Sequence, residues 1–365
     1  MTSPQVEDSH EALRPHLRTL LRENWIGAGL VSAAADKTAA IARTADLLES
    51  GFGAATLMTD AADSSGTPCS HGAVAAEELG RGLFPNRWLP AWMASVLLRG
   101  TLGDTSGIEL AWPGQDASWD VREIVKLPVT DGRLAGSVPL ALLSDDSARL
   151  VFPAVANGEL CAALVEAHAE GIARVKCWTP DEARDLVHVQ VRDVAAEPVT
   201  FPDPVAAFRH ALAVGVTCLS AEMVGAASFC LDTATSYARS RVQFRQPIGK
   251  FQVIRHTLAD VLTAIETARA SVYRAARSLD EAASEAETSA RVARLRAAAC
   301  LRLASEAAVQ VHGGMGFTWD IPLHYAVKRW GTGASLFGTN TDHQVRIFRA
   351  ISARSVVVTT NAITG

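Results

Sequence analysis

The stretch "RSRVQFRQPIGKFQ" (residues 239–252) crowds Arg241, Arg245 and Lys250 around Phe244 and ends on Gln252. Alone, it reads equally well as a solvated basic rim. A second stretch, "QVHGGMGFTWDIP" (residues 310–322), places Gln310 ahead of Gly313, Gly314 and Gly316, and alone it is a helix C-cap and tight turn. Together the two offer an arginine fork for phosphate, an aromatic ring, amides to read a polar edge, and glycines that allow backbone N–H groups to approach a pyrophosphate. That combination is suited to a dinucleotide.

The surrounding pattern sets the fold class. After "EPVTFPDP", whose prolines are expected to stop any strand, residues 205–240 run without proline as a long Ala-rich helix, and 251–283 and 285–312 read as two more. From about 105 to 200, runs such as "EIVKLPV", "ARLVFPAV", "LCAALVEA" and "LVHVQVRDV" are separated by Gly, Pro and Asp-Gly, and predict a small antiparallel β region with its hairpin at Asp131-Gly132. Helical spacing returns in "DKTAAIARTADLLES" (36–50) and "HGAVAAEELGRGLF" (71–84). The order predicts an α+β protein in three parts: an N-terminal helical domain (1–103), a middle β domain (104–200) and a C-terminal helical domain (201–365).

Composition narrows the partners. With 48% hydrophobic and 20% charged residues, the 365-residue chain can bury a large core. A net charge of -5 gives no broad basic field, so nucleic acid is not an expected partner. No uncharged apolar run reaches the roughly 18 to 20 residues of a membrane span, and the polar start is unlike a signal peptide, so the expected location is cytoplasmic. Cys69, Cys161, Cys177, Cys218, Cys230 and Cys300 lack metal-ligand spacing and read as buried thiols of a reducing compartment, with no metal site.

The two motifs resemble those of the acyl-CoA dehydrogenase family. The pattern Arg-x-x-Phe-x-x-x-Ile-x-x-Phe-Gln stands here as Arg241, Phe244, Ile248, Phe251 and Gln252, and Gln-x-x-Gly-Gly-x-Gly-Phe as Gln310, Gly313, Gly314, Gly316 and Phe317. "EELGRGL" (77–83) and the helical, β, helical order extend the resemblance over nearly the whole chain. It implies a small β-barrel or sandwich between a helical domain and a four-helix bundle. It also implies FAD held across a subunit interface, with Arg241, Phe244, Gln252, Gln310, Gly313 and Gly314 serving the neighbouring subunit's flavin.

Other family features are missing. The family's catalytic Glu precedes a Gly-Thr turn; aligning Gly338-Thr339 on that turn puts Phe337 in its place, and a phenyl ring has no lone pair to accept a proton. Relatives that carry the base on the first long helix of the last domain would have it at Gly215. Glu222 lies about seven residues further on, roughly 10 Å along a helix. The hydroxyl-bearing stretches of the β domain match "Ala111-Trp112-Pro113" through "Asp116-Ala117-Ser118" and "LALL" (140–143), in which hydroxyls have given way to alkyl groups.

The resemblance therefore implies a subunit without a catalytic residue of its own in a heteromeric acyl-CoA dehydrogenase. The implied assembly is α2β2, with FAD shared with a catalytic partner chain. Acyl-CoA, such as a steroid side-chain thioester, would bind mainly on the partner, and an electron-transfer flavoprotein or another acceptor would take the electrons. Two alternatives stay open. One is a homo-oligomeric flavoprotein with a relocated base, for which Asp342, His343 and Asp320 are the candidates; their plainer readings are a helix-cap carboxylate for Asp342 and a polar surface or interface residue for His343. The other is a flavin-free acyl-CoA-binding or scaffold protein.

Overall fold

The computed structural model describes residues 4–26, 69–85, 88–112, 126–144, 147–181 and 184–363; the helix read at 36–50 lies outside them. Helices α1 (Pro4–Leu21), α2 (Cys69–Arg81) and α3 (Leu89–Leu98) precede strands β1 (Ile108–Leu110) to β8 (Glu197–Val199). The long helices α4 (Pro204–Ser240), α5 (Gln252–Asp280) and α6 (Ala286–His312) follow, and α7 (Leu323–Gly333) and α8 (Asn340–Ile363) close the chain.

Helix α4 is the axis. Asp203 caps it by accepting the Ala206 N–H at 2.9 Å, and Pro204 occupies the first turn, where its missing N–H is not needed. Every residue from Ala211 to Ser228 is buried. A helix apolar on all sides belongs inside a fold. One window of α4 is long and apolar enough to cross a membrane by length and composition alone, and 89% of that window is buried here. The hydroxyls of Thr217, Ser220 and Ser228 donate back to the carbonyls of Ala213, Val216 and Val224, so none is left unsatisfied.

Strands β2 (Leu127–Thr130), β3 (Arg133–Leu142), β4 (Arg149–Ala156), β5 (Glu159–Glu166), β6 (Ile172–Lys176) and β7 (Leu186–Ala195) form one sheet with β1 and β8, in the order β6-β7-β3-β2-β4-β5-β8, with β1 also on β4. Asp131 and Gly132, at φ 49° and 71°, make the two-residue turn between β2 (Leu127–Thr130) and β3 (Arg133–Leu142). The sheet is mixed rather than antiparallel throughout, because β4 (Arg149–Ala156) runs parallel to both β1 and β2. The prolines after the β region do not stop every strand either. Pro198 lies in β8, which pairs only with β5 (Glu159–Glu166) at the sheet's edge, where a residue without an N–H is tolerated.

Two buried contacts join the parts. The first is the crossing of α2 over α4: a Cβ at Gly80 would lie 2.0 Å from the Glu222 carbonyl oxygen, and one at Gly225 would lie 1.8 Å from that of Glu77. Only glycines allow this approach. Beside it, Glu77 takes Arg269 at 2.9 Å and the Tyr273 hydroxyl at 2.7 Å, while Glu78 takes Arg14 at 2.8 Å and Arg18 at 2.7 Å. "EELGRGL" is thus a docking element that fixes α1 and α5 onto α2. Burial pushes the Glu77 carboxyl up, but Arg14 and Arg269 outweigh it and hold the group below the usual range.

The second contact is an ion network centred on Glu222 of α4, which is 0% exposed. Its Oε1 accepts from Arg184 Nη2 at 2.7 Å and Arg329 Nη1 at 2.5 Å, and Arg329 Nε donates to Asp181 at 2.8 Å. Arg329 also faces the carbonyls of Leu83 and Phe84. Asp181 and Arg184 come from the link between β6 and β7, Arg329 from α7, and the carbonyls from the end of α2. Replacing Arg329 with Leu removes the cation that bridges two buried carboxylates, and should destabilise the fold by ~3–5 kcal/mol in urea unfolding. A change below 1 kcal/mol would show that solvent or Arg184 compensates.

Candidate functional site

The chain leaves α4 at Arg241, whose N–H bonds the Tyr237 carbonyl at 2.8 Å, and turns back through β9 (Val242–Gln243) and β10 (Gln246–Pro247) before entering α5 at Gln252. Arg241, Phe244 and Gln252 are all exposed, Phe244 at 85%, with its ring edge-on to Phe251 at 6.0 Å. Gln310 is exposed in the last turn of α6, and Gly313 ends that helix at φ 61°.

An aromatic stack joins the two groups. Tyr237, one turn before Arg241, lies 4.3 Å from the ring of His312, just before Gly313, at an interplanar angle of 25°, and its hydroxyl reaches Met315 Sδ at 3.8 Å. His312 is fixed in turn by Nδ1 against the Ala308 carbonyl at 2.7 Å. The structure therefore brings the ends of α4 and α6, and with them both motifs, to one rim. Nothing in the local sequence marks Tyr237 or His312, whose pairing exists only once α4 and α6 are packed.

The rim suits a dinucleotide phosphate. Arg241 has no ion pair among the described residues, and the start of α5 adds the positive end of a helix dipole. A Cβ at Gly313 or Gly314 would meet nothing within 4 Å, so a ligand can approach the backbone there. The N–H of Gly313 is itself engaged, bonding carbonyls of α6, so this glycine contributes its turn and its missing side chain rather than a donor.

The positions expected to carry a base are different in kind. Phe337 is 4% exposed, at φ 60°, within the main apolar cluster. Gly215 is covered by Met93: a Cβ there would lie 2.5 Å from its sulfur, so no glutamate side chain fits without displacing it. Leu140 and Leu142 of "LALL" pack against the main core, and Ala141 and Leu143 against the core of the sheet. Ala111 and Trp112 are buried, while the positions from Pro113 to Ser118 lie outside the described residues.

The other acid and base candidates have structural roles or lie apart. Asp342 Oδ2 accepts the Thr339 N–H at 2.9 Å and its hydroxyl at 2.6 Å, which closes the first turn of α8. Asp320 is exposed on the loop after the glycines. Glu222 lies in the ion network. His343 is not a surface residue, as its sequence reading had it: it is 0% exposed, because the period of α8 turns it inward toward α6. Among the described residues neither ring nitrogen has a hydrogen-bond partner, and the neighbouring Arg294 leaves Nε and Nη1 unpaired there while Nη2 holds the carbonyls of Gly333 and Leu336. Burial, then Arg294 and Arg291, push the His343 pKa down to about 3. All six cysteines are free, with Cys177 only half-buried.

Residues 205–351 match the model of the acyl-CoA dehydrogenase C-terminal domain. Over 285 residues the chain is 31% identical to the acyl-CoA dehydrogenase IpdE2 of Mycobacterium tuberculosis, covering 76% of each protein. It superposes on a variant of the Tcur3481-Tcur3483 steroid ACAD with a TM-score of 0.81 at 20% identity, over 96% of this chain and 99% of that one. On the ChsE4-ChsE5 complex from Mycobacterium tuberculosis the TM-score is 0.78 at 18% identity, over 96% and 98% of the two chains. The chain belongs to the acyl-CoA dehydrogenase family and has its α+β fold.

The burial of His343 has a consequence for pH. Its folded pKa of about 3 lies below that of the unfolded chain, which is ~6.5. As pH falls, the unfolded state therefore takes the proton first, and stability is lost between those values at up to ~1.4 kcal/mol per pH unit. His343→Gln should flatten this acid limb in urea midpoints measured against pH; an unchanged slope would assign it to other groups.

Proposed function

We propose that this chain is the non-catalytic subunit of a heteromeric acyl-CoA dehydrogenase. Its rim completes the FAD site of a related, catalytic partner in an α2β2 assembly with one FAD per heterodimer. The observation that carries this reading is the division within the chain: the cofactor residues are exposed and Arg241 has no ion pair among the described residues, whereas the base positions are buried and filled by Phe337 and by Met93 over Gly215. Loss without direction would not separate the two sets.

On this reading, Arg241 grips the pyrophosphate of the partner's dinucleotide, Gln252 and Gln310 bond its polar edges, and Gly313 and Gly314 permit close approach. The flavin, when bound, supplies the hydride acceptor for α,β-desaturation of an acyl-CoA thioester. Among the described residues, the positions read as candidates for the base offer no free proton acceptor beside the Gly-Thr turn, since Phe337 cannot act as one and Asp342 is held in its cap. The similarity to a steroid ACAD supports a steroid CoA thioester as the substrate, here read as a side-chain one bound mainly by the partner, and the likeness to an electron transferring flavoprotein structure fits such a flavoprotein as the acceptor.

Purified alone, the chain should be colourless or insoluble; co-expressed with its partner it should carry one FAD per heterodimer by absorbance and native mass. A yellow, active homo-oligomer with one flavin per chain would contradict the proposal. Phe337→Glu should give no turnover by itself, and robust activity from that single change would show a complete flavin pocket in this chain.

A further inference from the structure

We infer that Arg245 is a second phosphate ligand beside Arg241, presented by a hairpin that holds it in a strained backbone. The inference rests on the reading above that this rim meets a dinucleotide. β9 and β10 pair Gln243 with Gln246 and Val242 with Pro247, leaving Phe244 and Arg245 as the two turn residues. Both have left-handed backbones, at φ 51° and 65°. A two-residue turn of this kind favours Asn-Gly or Gly-Gly, and a side chain at either position carries a steric cost.

Nothing among the described residues offsets that cost at Arg245. The residue is exposed, and its guanidinium makes no hydrogen bond or ion pair among the described residues. It is also not alone. Arg239, Arg241, Arg245, Lys250 and Arg255 fall in a stretch with no Asp or Glu between Asp232 and Asp260, in a chain whose net charge is -5. None of the five pairs with a carboxylate among the described residues. Such a cluster repels itself until an external anion arrives.

The anion's chemistry follows from the arrangement. Two guanidinium forks near one turn can bind several oxygens on adjacent centres, which a pyrophosphate offers and a single carboxylate does not. The exposed Phe244 ring, in the same turn, gives an apolar face for a ligand that joins phosphates to flat ring systems. A strained residue kept at an exposed tip, with no side-chain hydrogen bond or ion pair among the described residues, points to such a contact.

The test uses the co-expressed flavin-containing assembly with Arg245→Gly, Arg245→Lys and Arg241→Ala. Arg245→Gly should raise the thermal midpoint of the flavin-free assembly, because the turn relaxes, while weakening FAD binding about tenfold in fluorescence titration. Arg245→Lys should retain part of the affinity, since charge remains without the fork. If Arg241→Ala weakens FAD binding and Arg245→Gly does not, this inference fails and the proposed function stands. If neither weakens it, both fail. If Arg245→Gly loosens the flavin-free assembly on dilution while FAD affinity is unchanged, Arg245 meets a partner carboxylate and the inference is overturned.

Discussion

A carboxylate buried in the middle of an apolar helix is costly unless it is paired and hydrogen-bonded, and Glu222 is paired twice. Arg184 reaches it from the sheet and Arg329 from α7, so the charge of one α4 side chain fixes where the β region and the end of the chain sit. The Leu83 and Phe84 carbonyls bring the N-terminal helices into the same network. Its backbone carbonyl lies against Gly80, so steric and electrostatic constraints meet at one residue.

With α4 so anchored, the two ends of its functional surface follow. Its C-terminal end delivers Arg241 and the hairpin to the rim, where the Tyr237–His312 stack aligns them with the glycine turn. Its buried middle presents Gly215 to Met93, and Arg294 ties down the turn that carries Phe337. One end of the helix is thus open and cationic, its arginines without ion pairs among the described residues, and its middle is closed and apolar. A scaffold protein would need the closed part alone.

Much of this was legible in the sequence because it is local. Proline-free Ala-rich runs fixed the long helices, Asp131-Gly132 fixed a turn, and the spacing from Arg241 to Gln252 gave both the family and the candidate rim. What was not legible depends on contacts across the chain. The sequence places Glu222 too far along α4 for the base, but its pairing was hidden because its arginines come from distant segments, and His343 looked superficial because polarity alone does not reveal which face of α8 packs inward. The parallel pairings of β4 and the edge strand at Pro198 were hidden for the same reason, since sheet order is not written in strand propensity. The left-handed backbone of Arg245 could have been suspected from the two-residue gap between Val242-Gln243 and Gln246-Pro247, yet only geometry establishes it.

The central claim, that this chain lends its rim to another chain's cofactor and keeps no flavin site of its own, is tested most directly by the structure of the co-expressed assembly with FAD bound. The account predicts flavin density in the partner's cleft alone, with its pyrophosphate at Arg241 and Arg245 of this chain's hairpin. An isoalloxazine ring seated in this chain, against the turn that bears Phe337, would contradict it.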